Sequence, residues 1–112
     1  MEETPVRRKE IWLVKIPKES HFKIRPILIL SNNEYNKEND EVVGALITYD
    51  TNKDYTNEIV QTDFEKYRIT EPCAVRYDGL IKIDKKLLHK RIAKVSEKFR
   101  RHVISSLIGF LD

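Results

Sequence analysis

The sequence predicts a small α+β domain that is mostly β: a twisted, mostly antiparallel barrel followed by a C-terminal amphipathic helix. Six or seven short apolar or alternating segments are separated by polar, turn-rich stretches, as in small β folds. The clearest helical period lies at the C-terminal end. A chain of 112 residues can bury one core, so we expect a flexible arm at residues 1–7 and a single domain over residues 8–112.

Near-continuous apolar runs define the best strands of the first half. Three segments are predicted to be strands: Ile11–Ile16, Arg25–Leu30 and Val42–Thr48. We expect a loop at Pro17–Lys23 and a polar connection at Ser31–Glu41. Because proline cannot donate to a sheet ladder, Pro26 is placed at the first residue of its strand, where it keeps Arg25 extended.

The second half alternates less regularly. A polar loop is predicted at Tyr49–Asn57, and Glu58–Thr62 alternates weakly. The Asp78-Gly79 pair is a two-residue hairpin signal, so we expect strands Cys73–Tyr77 and Leu80–Ile83 on either side of it. Residues 84–95 are ambiguous, since Asp84 could cap a helix there.

The C-terminal segment predicts a helix with one apolar face and Ser96 as its N-cap. The apolar face carries Phe99, Val103, Ile104, Leu107, Ile108 and Leu111, and the polar face carries Lys98, Arg101, His102, Ser105 and Ser106.

Composition excludes several classes of protein. The single cysteine, Cys73, rules out a disulfide framework and is expected in the core. No apolar run is long enough to span a membrane, so we expect a cytoplasmic protein. The net charge is only +3, but Ser31–Pro72 has ten acidic and four basic residues whereas Lys82–His102 has nine basic and two acidic. The basic region fits a polyanion or an acidic protein partner, or simply a solvated helix face.

Familiar catalytic signatures are missing from the sequence. It has only three glycines and no phosphate-binding loop, no Cys/His cluster with metal-ligand spacing and no Gly-x-Ser-x-Gly elbow. We therefore expect no metal and no cofactor. A polar residue does stand at one end of each strong strand, Arg25 and Thr48. A forked guanidinium and a hydroxyl donor suit the stabilisation of charge on a phosphate.

These strands resemble a known family. The opening Glu10-Ile11-Trp12-Leu13-Val14, the Arg25-Pro26 strand and the strand that ends at Thr48 are similar to the MazF/PemK toxin endoribonucleases, over Arg8 to the C-terminus. The resemblance implies an SH3-like barrel of the CcdB/PemK type, with a helical turn and then a strand over residues 84–95. It also implies that Arg25 and Thr48 belong to the active site.

A second constellation is Arg76 and Asp78, within a Val-Arg-x-Asp pattern that resembles the Kid-like branch of the family. Side chains two apart in a strand project from one face, so these two can meet. The resemblance implies that Asp78 is the general base. We expect Arg76 to clamp phosphate, because a guanidinium stays protonated and is a poor acid.

Other residues are expected to assist. His21 precedes Arg25 where related toxins carry a histidine that helps catalysis, and an imidazole suits proton transfer near neutral pH. Bases of single-stranded RNA stack on aromatic rings while cations hold the phosphates. The RNA-binding candidates are Lys23, Phe22, Tyr49, Lys53, Tyr55 and Tyr77, whereas Trp12 is expected in the core.

The resemblance implies a homodimeric, metal-independent toxin of a type II toxin–antitoxin system. It would cut single-stranded RNA at a short motif by attack of the 2′-hydroxyl, giving a 2′,3′-cyclic phosphate and a 5′-hydroxyl, and an acidic-tailed antitoxin would silence it. The family often has Gln-x-Arg-Thr-Ile-Asp where this chain has residues 79–84, so the Gln and Arg are lost. The alternative is a non-catalytic protein on the same fold, either a CcdB-like gyrase poison or an RNA-binding module.

Overall fold

The computed structural model describes residues 4–112, which form one antiparallel sheet and two α-helices. The strands are β1 (Glu10–Lys18), β2 (His21–Ile29), β3 (Glu41–Thr48), β4 (Thr56–Ile59), β5 (Phe64–Lys66), β6 (Cys73–Asp84) and β7 (Leu88–Val95). The helices are α1 (Asn33–Glu38) and α2 (Glu97–Leu111), and 3-10 turns occupy Gln61–Asp63 and Lys85–Leu87. No helix among these residues is long and apolar enough to cross a membrane.

The strands follow the order β4-β6-β3-β2-β1-β7-β5, and every described pairing is antiparallel. The predicted class, mostly β with a C-terminal helix, is confirmed. The barrel is not closed, because β4 and β5 lie at opposite ends of the strand order. The domain is therefore an open twisted sheet with two edge strands.

Two apolar clusters lie on opposite faces of this sheet. One face, here called the helix face, is covered by α2 through Phe99, Val103 and Leu107. The other, here called the Trp12 face, gathers Trp12, Val14, Ile27, Ile29, Val42 and Ile83, with Val6 packed against them. The last part of the predicted N-terminal arm thus contacts the core, while residues 1–3 lie outside the described residues.

The predicted loop at Pro17–Lys23 is wrong, because β1 and β2 pair from Ile11–Leu28 to Lys18–His21. Only two residues turn the chain, and Glu19 takes a left-handed φ of 51°. Pro26 is not the first residue of its strand. It lies opposite Leu13 and one residue outside the β2–β3 ladder, where its missing N–H costs no pairing with β3.

The expected hairpin at Asp78-Gly79 is also wrong, since residues 73–84 form one long strand. The tight hairpin turn needs positive φ, and no glycine in the described chain has it. Instead, the pairing of β6 with β3 slips from Ala45–Leu80 to Ile47–Val75. The extra residues of β6 form an irregular bulge.

Several smaller elements differ from expectation. The polar connection Ser31–Glu41 contains α1, capped by Asn32, which accepts a hydrogen bond from the Tyr35 N–H at 2.8 Å. The weak alternation at Glu58–Thr62 corresponds to the end of β4 and a 3-10 turn, and β5 was not predicted. The ambiguous residues 84–95 form the turn and strand that the resemblance implied.

The C-terminal helix and the buried cysteine agree with the sequence. Ser96 caps α2 by accepting from the Phe99 N–H at 3.1 Å. The apolar face is only partly used, because Ile108 and Leu111 are 63% and 70% exposed. Cys73 is fully buried in the helix-face cluster, and burial raises the pKa of its thiol to about 11.

Replacing two of the glycines by alanine is expected to change the free energy of unfolding in opposite directions. A Cβ on Gly44 would lie 2.7 Å from the Leu28 carbonyl oxygen, so Gly44→Ala should lower the free energy of unfolding by about 1–3 kcal/mol. A Cβ on Gly109 meets nothing within 4 Å, so Gly109→Ala should raise it by up to about 1 kcal/mol. Urea denaturation of both variants measures this, and a neutral Gly44→Ala would contradict the close β2–β3 packing.

Candidate active site

Extending the β2–β3 register by two residues aligns Arg25 with Thr48, just beyond the end of the paired ladder. The β2–β3 ladder pairs Ile29 with Gly44 and Ile27 with Leu46, so two further residues in the same register bring Arg25 opposite Thr48. Arg25 also pairs with Val14 of β1, a residue of the Trp12 face. Because directly opposite residues point to the same side of a sheet, both side chains belong to the Trp12 face. Each is partly buried.

The hydroxyl of Thr48 is held by the loop that follows it. Its Oγ1 accepts a hydrogen bond from the Asp50 N–H at 3.0 Å, and the Asp50 carboxylate accepts one from the Asn52 N–H at 3.1 Å. A hydroxyl has one proton and two acceptor lone pairs. Since Thr48 uses an acceptor position here, its proton is free to be donated to a bound anion.

The second constellation stands next to Thr48 on β6. Thr48 pairs with Ala74, and Arg76 lies two residues further along β6 on the same face. The Arg76 Nε donates to the Asp78 Oδ1 at 3.2 Å, and both side chains are about one-third exposed. The bulge therefore presents a cation and a carboxylate together beside Thr48. Arg25, Thr48 and Arg76 share one face over three adjacent strands.

Cations extend along β2 from Arg25. Lys23 lies two residues away on the same face, and Lys18 approaches it from β1 near the hairpin turn. Electrostatic repulsion by Arg25 first, then by Lys18, lowers the pKa of Lys23 below its usual value of 10.5. The sequence reasoning missed Lys18. Alternation would have identified it once β1 was known to continue to the turn.

His21 shares this face but stands apart from Arg25. It begins β2, opposite Lys18, and is exposed at the end of the hairpin. Four residues of strand separate it from Arg25, about 13 Å along the backbone. The structure therefore does not bring these two side chains together.

The aromatic candidates do not join Arg25 and Thr48. Phe22 and Tyr49 are each next in sequence to a residue of the Trp12 face, and so point to the other side. Desolvation, followed by repulsion from Glu71, raises the pKa of Tyr49.

Tyr55 and Tyr77 contact α2 instead. Their rings lie 5.5 and 5.8 Å from the Phe110 ring in edge-on contacts, and 6.1 Å from each other. Lys53 is exposed in the loop between β3 and β4. Of the six residues predicted to bind RNA, Lys23 is placed on the face of Arg25 by the strand register. No group of three or more His, Cys, Asp or Glu side chains within residues 4–112 is arranged to hold a metal ion.

Comparisons with known proteins give the family and the fold. A family model described as "PemK-like, MazF-like toxin of type II toxin-antitoxin system" matches residues 7–111. Among solved structures, the Mycobacterium tuberculosis toxin MazF-mt6 is similar at 19% identity, with 90% of this chain and 93% of that chain covered and a TM-score of 0.70. A MazE-MazF structure from Deinococcus radiodurans covers 96% and 97% at 14% identity and a TM-score of 0.78.

A third similar structure, an endoribonuclease in complex with its cognate antitoxin from Mycobacterial species, is 18% identical. The match covers 96% of this chain and 93% of the chain in that structure, with a TM-score of 0.72. Likeness at this identity establishes the shared fold.

The placement of Lys23 beside Arg25 leads to a testable prediction. Arg25→Gln removes the largest cause of the lowered Lys23 pKa, so that pKa should rise toward 10.5. An NMR titration of the lysine side chains measures it. Arg101→Gln, on the exposed side of α2, is the matched control and should leave it unchanged. An unaltered Lys23 pKa in Arg25→Gln would contradict the shared face.

Proposed function

The chain belongs to the family of PemK-like, MazF-like toxins of type II toxin–antitoxin systems, and on that premise we propose that it is a metal-independent, sequence-specific endoribonuclease. Its substrate is single-stranded RNA, and its products are a 2′,3′-cyclic phosphate and a 5′-hydroxyl. One observation supports this proposal: the strand register puts Arg25 and Thr48 on one face just beyond the last paired residues of β2 and β3, with the Arg76–Asp78 pair on the next strand.

RNA supplies its own nucleophile, so the protein has three tasks. The 2′-hydroxyl must lose its proton as its oxygen attacks the adjacent phosphorus, the leaving 5′-oxygen must gain a proton, and the charge on the phosphorane must be stabilised. Arg25 and Thr48 perform the third task. The guanidinium and the free hydroxyl proton donate to the non-bridging phosphate oxygens, whose negative charge increases in the transition state.

Asp78 takes the proton from the 2′-hydroxyl. Its carboxylate accepts a hydrogen bond from the Arg76 Nε at 3.2 Å, which holds the carboxylate in position to accept that proton. Arg76 stays protonated and binds phosphate. His21 is retained as an assisting residue, and its distance from Arg25 predicts a smaller effect of replacing it.

The proposal extends to partners and setting. Two of the similar structures contain an antitoxin, one of them described as cognate, which supports an antitoxin for this chain. We propose that its acidic tail competes with RNA for the cations on the Trp12 face, gaining affinity from apolar anchors as it folds on binding. We also propose that the toxin is a homodimer and acts on mRNA in the cytoplasm.

Cleavage should not require added metal. The purified protein should cut a long single-stranded RNA in the presence of EDTA, because the nucleophile is the 2′-hydroxyl, and should leave a 2′-deoxy substrate intact. Gel electrophoresis with end-group analysis measures both results. Dependence on a divalent metal, or cleavage of the 2′-deoxy substrate, would exclude this mechanism. Binding without cleavage across varied RNAs would favour a non-catalytic binding protein.

Replacing the phosphate donors should slow cleavage without unfolding the protein. Arg25→Ala and Thr48→Val should each lower kcat/KM at least tenfold, because one such donor contributes about 2.7–4 kcal/mol. Thr48→Ser keeps the hydroxyl and should retain most activity, and Arg101→Ala controls for loss of a surface arginine. If either loss follows reduced folding in circular dichroism, that residue is structural.

The role of Asp78 as general base should be distinguishable by kinetics from the roles of Arg25 and Thr48 as phosphate donors. Asp78→Asn keeps the shape of the side chain but removes its capacity to accept a proton, so it should reduce kcat more than it changes KM. His21→Gln should reduce kcat less than Arg25→Ala does. Single-turnover cleavage rates test this order, and full activity in Asp78→Asn would refute its assignment.

A further inference from the structure

A basic cavity of about 760 Å³ opens on the Trp12 face, beyond the residues of the proposed active site. Its floor includes Trp12 and Leu88, both part of the Trp12-face cluster. Three separate segments supply its cations: Arg7 ahead of β1, Lys37 of α1, and Lys85 and Lys86 of the 3-10 turn. A fourth segment, β7, contributes His89 to the lining.

The charge of this cavity is unbalanced. Its described lining contains no aspartate or glutamate. Within residues 4–112, the side-chain nitrogens of Arg7, Lys37, Lys85 and Lys86 form no ion pair with a carboxylate, whereas other surface cations do, such as Lys9 with Glu65 at 2.9 Å. The nearby carboxylates of Glu10 and Asp84 accept from the backbone N–H groups of Arg7 and Lys86 instead, at 2.7 and 2.9 Å. A concave site with several unpaired cations attracts anions.

The cavity is close to the scissile position. Val14 pairs with Arg25 on one side and with Leu88 on the other, so Leu88 lies two strands from Arg25 in the same row. At about 4.8 Å per strand, this separation is about 10 Å across the sheet. The row that begins at Thr48 and Arg25 therefore leads across β1 to the edge of the cavity.

We propose that this cavity binds backbone phosphates of the same single-stranded RNA, a few nucleotides from the scissile bond. The inference rests on the proposed nuclease function and deepens it. Surfaces that hold single strands use a basic groove to follow the backbone, and each contacted phosphate releases counterions. Lys37 and Lys86, both exposed, reach those phosphates at the rim.

The test compares two pairs of variants that change charge equally. Lys37→Gln/Lys86→Gln alters the cavity, whereas Lys90→Gln/Lys98→Gln removes two exposed lysines outside it. Affinity is measured by fluorescence anisotropy on a labelled single-stranded 2′-O-methyl RNA, which has no free 2′-hydroxyl and cannot be cut by 2′-hydroxyl attack. Salt is varied from about 50 to 200 mM, where phosphate contacts dominate the affinity.

The cavity pair should weaken binding at least fivefold and reduce the slope of log K against log salt by about 1.4, because each single-strand contact contributes about 0.7. The control pair should leave the slope near the wild-type value. On cleavable RNA, the cavity pair should raise KM with kcat unchanged, since these lysines do not touch the reacting atoms.

Equal slopes for the two pairs would overturn the proposal, as would a loss of kcat at saturating RNA. The full chain is used in every measurement, so that the wild type and both pairs of variants share the same N-terminus. If the cavity pair loses affinity for a mononucleotide or an acidic peptide but not for RNA, the site belongs to that ligand and the proposal fails.

The two proposals fail separately. Lysine-dependent binding of the 2′-O-methyl RNA, with no cleavage of ordinary RNA by the wild type, would support the phosphate site and refute the nuclease. Cleavage by the wild type without any effect of Lys37 and Lys86 on affinity would do the reverse.

Discussion

The register of β2 between β1 and β3 is the constraint on which the candidate site depends. In this register Ile27 points to the Trp12 face and Leu28 to the helix face, so each neighbouring residue is assigned to one cluster or the other. A slip of one residue would exchange the faces and remove Arg25 from Thr48. Gly44 helps to hold the register, because its missing side chain lets β3 approach the Leu28 carbonyl.

A buried carboxylate, that of Glu10, holds together the part of the Trp12 face where β1 begins beside β7. Glu10 is 3% exposed and accepts hydrogen bonds from the Arg7 N–H at 2.7 Å, the Trp12 Nε1 at 3.1 Å and the Arg91 Nη1 at 2.8 Å. It thereby ties the incoming chain and β7 to the start of β1. Because a buried carboxylate needs such partners, these three groups are held in place together, and two of them, Arg7 and Trp12, line the basic cavity.

The sequence predicted the relative placement of Arg25, Thr48, Arg76 and Asp78 better than it predicted their surroundings. Arg25 and Thr48 were identifiable because each ends an apolar strand, and the i, i+2 spacing of Arg76 and Asp78 predicted their contact. The aromatic candidates were chosen because they are close in sequence to the site, but successive residues of a strand point to opposite faces of the sheet. Phe22 therefore points away from the face of Lys23, and Tyr49 points away from the face of Thr48. Asp78-Gly79 was expected to form a hairpin turn but lies in a bulge of β6, because the pairing with β3 decides between a turn and a bulge and the local sequence does not. The basic cavity combines four distant segments and has no local sequence signal.

The hairpin of β1 and β2 has a mechanical consequence. Beyond Val14 and Arg25, neither β7 nor β3 pairs with it, so Lys15–Lys18 and His21–Ile24 form a ribbon of two strands, about 13 Å long. Such a ribbon is joined to the rest of the sheet only at the end near Arg25, so it twists and bends more readily than the sheet does. The position of Lys23 is thus set by a flexible two-stranded ribbon, whereas Arg25 and Thr48 are each held by pairing with a neighbouring strand, Arg25 with Val14 and Thr48 with Ala74.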